Sequence, residues 1–289
     1  MVLSTGIPSS ICPACIAAIT LPLALFLLLA ETAVGGAATV IYLRLSAGLT
    51  QGFLKFIAVT YAIVGALAFL TVLAGPPGAY HDRLGVNSTA GGALVFLQGL
   101  VLLALLAHVV VVFRGSASRP SWIFTLASSV LLLIGIVLAL APLAGSQLGV
   151  AAIALAVVLS ATVLGAATTG MLLGHWYLVT PALSNRPLLR SIALLLVGLI
   201  LQALVYPLML RGLAHSSGPF TQPLSISPQL SILWALGAVI LPLIATGLAL
   251  PTCRLRSFTS TTGLLYLAMI ALLPGQLVGQ LLLFVAASA

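Results

Sequence analysis

The chain has 289 residues, of which 62% are hydrophobic and 4% charged, and its formal net charge is +8. Soluble domains carry roughly 25% charged residues, so water cannot solvate a surface this poor in ions and a soluble fold is excluded. Ten Lys and Arg stand against two acids, Glu31 and Asp82. They are scattered singly between apolar runs, without the basic stripe that nucleic-acid binding requires, and that partner is excluded too. The lipid bilayer is the surrounding that the composition demands.

Residues 1–10 contain no Lys or Arg ahead of the first apolar run. A signal peptide would show a positive leader and a small-residue cleavage site, so this run reads as a retained helix. A membrane-spanning helix needs about 20 mostly apolar residues. Eight runs qualify, at 17–43, 53–73, 92–113, 122–140, 148–173, 189–210, 230–250 and 263–286. They predict an all-α, polytopic bundle of eight transmembrane helices forming one integral membrane domain. Residues 141–147, with Pro142 and Gly145, read as a tight turn between the fourth and fifth runs.

The basic residues then set the orientation. With the N-terminus outside, inner segments hold Arg44, Lys55, Arg114, Arg119, Arg186, Arg190, Arg254 and Arg256, and outer ones hold Arg83 and Arg211. The positive-inside bias therefore puts both termini outside. A bacterial cytoplasmic membrane is the expected location, where the Asn87-Ser88-Thr89 sequon carries no glycan. Two outer loops are longer than the rest. Residues 75–91 contain Pro76-Pro77-Gly78 and Tyr80-His81-Asp82-Arg83, and residues 212–228 are rich in Ser, Pro and Gly. Neither shows a helix or strand period, and both read as caps or docking surfaces.

Residues 32–39, Thr-Ala-Val-Gly-Gly-Ala-Ala-Thr, resemble residues 162–169, Thr-Val-Leu-Gly-Ala-Ala-Thr-Thr. The match suggests two parallel four-helix halves, 11–143 and 146–289, related by an axis along the membrane normal as in several transporters.

Ionisable groups in hydrocarbon are costly and mark function by default. Glu31, His108 and His175 are the candidates. His108 precedes Arg114 by six residues and His175 precedes Pro181 by six, so each lies about 9 Å inside the inner boundary. Two imidazoles at one depth suit the two axial positions of a haem b iron, with Arg114 and Arg190 placed to meet its propionates. The same histidines could contact a quinone, make interhelical hydrogen bonds or anchor the interface with Trp176 and Tyr177. Glu31 near the midplane shares a helical face with Gly35, Ala38 and Tyr42. Glu31 and Tyr42 are the candidate proton-handling, catalytic pair. Cys12-Pro13-Ala14-Cys15 is a C-x-x-C that could form an outward disulfide or a redox dithiol.

The chain has no P-loop, nucleophile elbow or H-E-x-x-H motif. The leading expectation is a membrane subunit of a respiratory or photosynthetic electron-transfer complex, holding haem b or quinone and served by other membrane or peripheral redox subunits. The alternatives are a transporter or lipid-handling permease with a midplane site at Glu31, and a scaffold subunit without a ligand.

Overall fold

A computed structural model describes residues 13–115, 119–180, 182–211 and 228–288. Within them the chain is helical and contains eight helices long and apolar enough to cross a membrane. They are α1 (Pro13–Ala47), α2 (Gln51–Ala74), α3 (Ser88–Phe113), α4 (Arg119–Leu140), α5 (Gln147–Val179), α6 (Arg186–Arg211), α7 (Gln229–Arg254) and α8 (Phe258–Ser288). The eight apolar runs of the sequence are these eight helices, and the protein is an integral membrane helix bundle.

Three helices form the centre. The apolar windows of α1, α5 and α8 are 56%, 61% and 56% buried, against 44% or less in the other five. They are also the longest. At 35 residues α1 runs about 50 Å, well beyond a hydrocarbon core of about 30 Å, so it crosses tilted or reaches past it. The five outer helices turn Leu, Ile, Val and Phe outward, including Phe96, Ile123 and Leu204. In lipid such residues need no partner.

α1 and α5 pack backbone to backbone. A methyl group at Gly35 would overlap the Ala161 carbonyl, and one at Gly165 would overlap the backbone of Gly35. Small residues permit this approach, and dispersion rewards it where the hydrophobic effect is missing. The Tyr61 ring of α2 covers Gly36, and its hydroxyl lies 2.5 Å from Thr169 Oγ1 on α5. Thr32, Thr39 and Thr168 donate to the carbonyls of Leu28, Gly35 and Leu164, so their hydroxyls are satisfied within their own helices.

Helices α1 to α4 pack in succession, and α5 to α8 do likewise, with α8 returning onto α5. The two similar segments, 32–39 and 162–169, meet at the crossing of Gly35 with Gly165. At the arginine-bearing end Arg190 donates to the Ser46 carbonyl, Arg256 donates to that of Leu183 and Asn185 donates to that of Cys253. These bonds tie the connections between helices together.

The loop at residues 75–87 is more ordered than its sequence suggests. It forms a 3-10 turn (Pro77–Tyr80) and a helical turn (His81–Leu84) that ends at Gly85 with φ 73°. Buried Leu84 and Val86 hold it down. Asn87 caps α3, its side chain accepting from the Ala90 N–H, and its own N–H donates to the Ala139 carbonyl.

The Gly35–Gly165 contact makes a prediction. Gly165→Leu should destabilise the bundle by about 1–3 kcal/mol or more, since backbone rather than a mobile side chain blocks the new atoms. Gly247→Ala, where an added methyl meets nothing within 4 Å, should not destabilise it. Unfolding in a denaturing detergent series compares the two, and equal midpoints would refute the contact.

Candidate functional site

Glu31 sits where α1, α5 and α8 converge, and it is fully buried. Ser160 Oγ of α5 lies 2.6 Å from its Oε2. The Gln280 amide of α8 donates to both carboxyl oxygens, at 3.2 and 3.1 Å. Ser160 Oγ also lies 3.2 Å from Gln276 Oε1, one turn earlier on α8. Glu31 has no cationic partner among the described residues.

These contacts leave the proton count unbalanced. A serine hydroxyl has one proton, and here two acceptor oxygens face it. Either the carboxyl supplies a proton to Ser160, or the Gln276 amide turns over and presents its oxygen elsewhere.

Beside this cluster lies a cavity of about 20 Å³, lined by Ser160, Gln202, Tyr206, Gln276 and Gln280 with Ile153, Ala156, Val157 and Leu283. That is room for roughly one water-sized molecule. Gln202 Oε1, Gln276 Nε2 and Trp234 Nε1 are buried with no protein partner. Gln202 and Gln276 are only 2% and 3% exposed. A buried polar group left in this state costs about 1–3 kcal/mol, and here two of them, on Gln202 and Gln276, line one cavity.

The helices are irregular at the same level. Tyr206 precedes Pro207 in α6, Trp234 precedes a π-helical turn (Ala235–Ile240) in α7, and Gln276 follows Pro274 in α8. Proline withdraws a helix N–H and frees the carbonyl four residues back, and π turns are frequent at functional sites. The Tyr206 hydroxyl donates to the Gly279 carbonyl, and its ring stacks on Trp234 at 4.4 Å. Gly275 lies against the backbone of Gly237 and Ala238, leaving no space for a side chain.

Of the residues singled out in the sequence, Glu31 alone lies in this site. Tyr42, three turns along α1, is 44% exposed and takes no part. His108 is buried against α4, its Nδ1 3.0 Å from Ser121 Oγ and its ring 4.0 Å from that of Trp122. Arg44 stacks over that tryptophan at 4.8 Å. His175 is exposed on α5. α3 packs on α2 and α4, whereas α5 packs chiefly on α6, α1 and α8, so the two imidazoles are not brought together. Arg114 caps α3 and is exposed, and Arg190 is bound to Ser46. The Cys12–Cys15 pair lies outside the described residues. Cys253 is a free, buried thiol.

Sequence reasoning passed over Ser160, Gln202, Tyr206, Trp234, Gln276 and Gln280, because none is ionised. A signal was available in Gln276 and Gln280, two carboxamides at i and i+4 on one face of an apolar helix. No protein family, curated protein or solved structure matches this chain.

Ser160→Ala should cost about 1–3 kcal/mol, because it leaves Gln276 Oε1 unpaired in a buried site and takes from Glu31 Oε2 one of its two partners, Gln280 remaining. Tyr42→Phe should change stability by less than about 0.5 kcal/mol, as expected for an exposed position. Melting temperatures of the purified variants test both, and an unaltered Ser160→Ala would break the cluster as described.

Proposed function

We propose that the protein is a permease that carries a small polar solute through a midplane site at Glu31. The observation that carries this reading is the buried polar cavity with unmet hydrogen-bonding groups, set among helices interrupted at its own level. Secondary transporters bind substrate near the midplane, between repeats, at discontinuous helices. Here the site draws on α1 from the first four helices and on α5, α6 and α8 from the last four. Two parallel four-helix halves hinging on the α1–α5 crossing would move against one another around it. The eight-to-two distribution of Lys and Arg supports an orientation with both termini outside.

The cavity is lined by Ser160 and Gln280, the partners of Glu31, and on the terminus-bearing side by Ile153 and Leu283. On the opposite side the Gly35–Gly165 crossing and the Tyr61–Thr169 bond close the path. This arrangement supports a resting state with access, when the cavity widens, from the side of the termini.

An electron-transfer role with haem b or quinone is the competing reading. In its favour, the bond of His108 Nδ1 to Ser121 leaves Nε2 as the ligating nitrogen, the usual division of labour in a metal-bound imidazole. That reading would bring in redox subunits as partners.

Two measurements separate the readings. Proteoliposomes should give concentration-jump currents or internal pH changes with one class in a panel of cations, amino acids, amines and sugars, and Glu31→Gln should abolish the response. The purified protein should show no Soret band. Silence across the panel together with a Soret band lost in the double variant His108→Ala, His175→Ala would replace the permease by an electron carrier, and silence without a Soret band would leave a scaffold.

A further inference from the structure

The cavity beside Glu31 limits what it can hold. The site's one ionisable acid is Glu31, and no cationic side chain among the described residues faces it. An anionic ligand would therefore meet no counter-charge in a medium where unpaired charge is very costly. A divalent cation would leave one positive charge uncompensated, and no cluster of three His, Cys, Asp or Glu exists among the described residues to hold one. A singly charged cation can replace a singly charged proton on the carboxyl with no change in net charge.

Size and donor chemistry narrow the ligand further. About 20 Å³ accommodates roughly one water-sized body, not an organic ion. The groups that can turn toward that body are oxygens of the lining: Ser160 Oγ, the unpaired Gln202 Oε1, and Gln276 Oε1 once its amide turns over. The Glu31 carboxyl stands directly behind them, bonded to Ser160 and Gln280. Hard cations take such oxygen ligands. We infer that this cavity binds a compact monovalent cation of the sodium class, in exchange for a proton carried by Glu31. One proton leaves the carboxyl as one cation enters, and the bond to Ser160 reverses so that its hydroxyl donates to the ionised carboxylate. The inference rests on the permease reading and gives that permease its coupling ion.

The exchange depends on few neighbours. The Tyr206 hydroxyl, held by the Gly279 carbonyl, is the titratable group of α6 at this level. Lys55 and Tyr61 of α2, Arg119 of α4, His175 and Tyr177 of α5, Arg186 and Arg190 of α6 and Tyr266 of α8 all lie toward the arginine-bearing end, as do Tyr42 and Arg44 of α1 itself. Competition for the site is therefore between one proton and one cation.

The test uses the purified full-length protein in choline chloride, exchanged isosmotically for sodium chloride between pH 6 and pH 9. Sodium should raise the melting temperature, and its apparent affinity should tighten by about tenfold per pH unit while the proton competes for the same carboxyl. Glu31→Gln should lose both effects. Gln202→Leu keeps the carboxyl and removes one cavity oxygen, and should weaken sodium at least tenfold even if Glu31→Gln fails to fold. Sodium indistinguishable from choline, or a sodium effect independent of pH, would overturn the inference. Solute-driven currents that persist in sodium-free choline and vanish in Glu31→Gln would overturn it while leaving the permease intact.

Discussion

Everything in this bundle depends on how closely α1 and α5 can approach. Lipid offers no hydrophobic reward for bringing helices together, so close contact must come from shape. Gly35 and Gly165 supply it by letting the two backbones touch. Because the helices meet there, Glu31 and Ser160, four and five residues before these glycines, are pressed into hydrogen-bonding range. α8 fills the remaining side with Gln276 and Gln280. A bulkier residue at the crossing would separate the carboxyl from the groups that make its burial tolerable.

The chemistry of the site follows from its being nearly free of charge. A buried ion pair must offset the desolvation of two ions, whereas carboxamides and hydroxyls satisfy a carboxyl at a smaller cost. Gln, Ser and Tyr side chains can also exchange donor and acceptor roles by rotating. The surroundings of Glu31 can therefore follow a change in its proton count without moving a helix. The aromatic pair Tyr206–Trp234 and the Gly237–Gly275 contact bound this adaptable region on its outer flank.

The fold was largely legible in the sequence because each helix announces itself by roughly twenty apolar residues between punctuating Gly, Pro or charge. Helix length was less legible, since α1 and α5 run past their apolar cores through residues that carry no stop signal. Glu31 was legible as a lone acid in hydrocarbon. Tyr42 shares its helical face by spacing yet lies exposed, because eleven residues along a helix fix an approximate face but not how neighbours cover it. Depth alone paired His108 with His175, and depth says nothing of direction around the bundle. Gln202, Gln276 and Gln280 escaped notice because a neutral amide leaves no trace in a count of charges. The loop at 75–87 hid its order because a 3-10 turn and a single helical turn are too short to show a period.

The π-helical turn in α7 (Ala235–Ile240) has a rotational consequence. It accommodates one residue more than the α-helical path it replaces. If the strand of residues on either side were to reabsorb that residue into regular helix, the segment before it would turn by about 100° relative to the segment after it. Trp234 stands immediately before the turn, so its indole would swing off the Tyr206 ring and away from the cavity. At this point of α7 the number of residues, more than their identity, sets the azimuth of an aromatic wall.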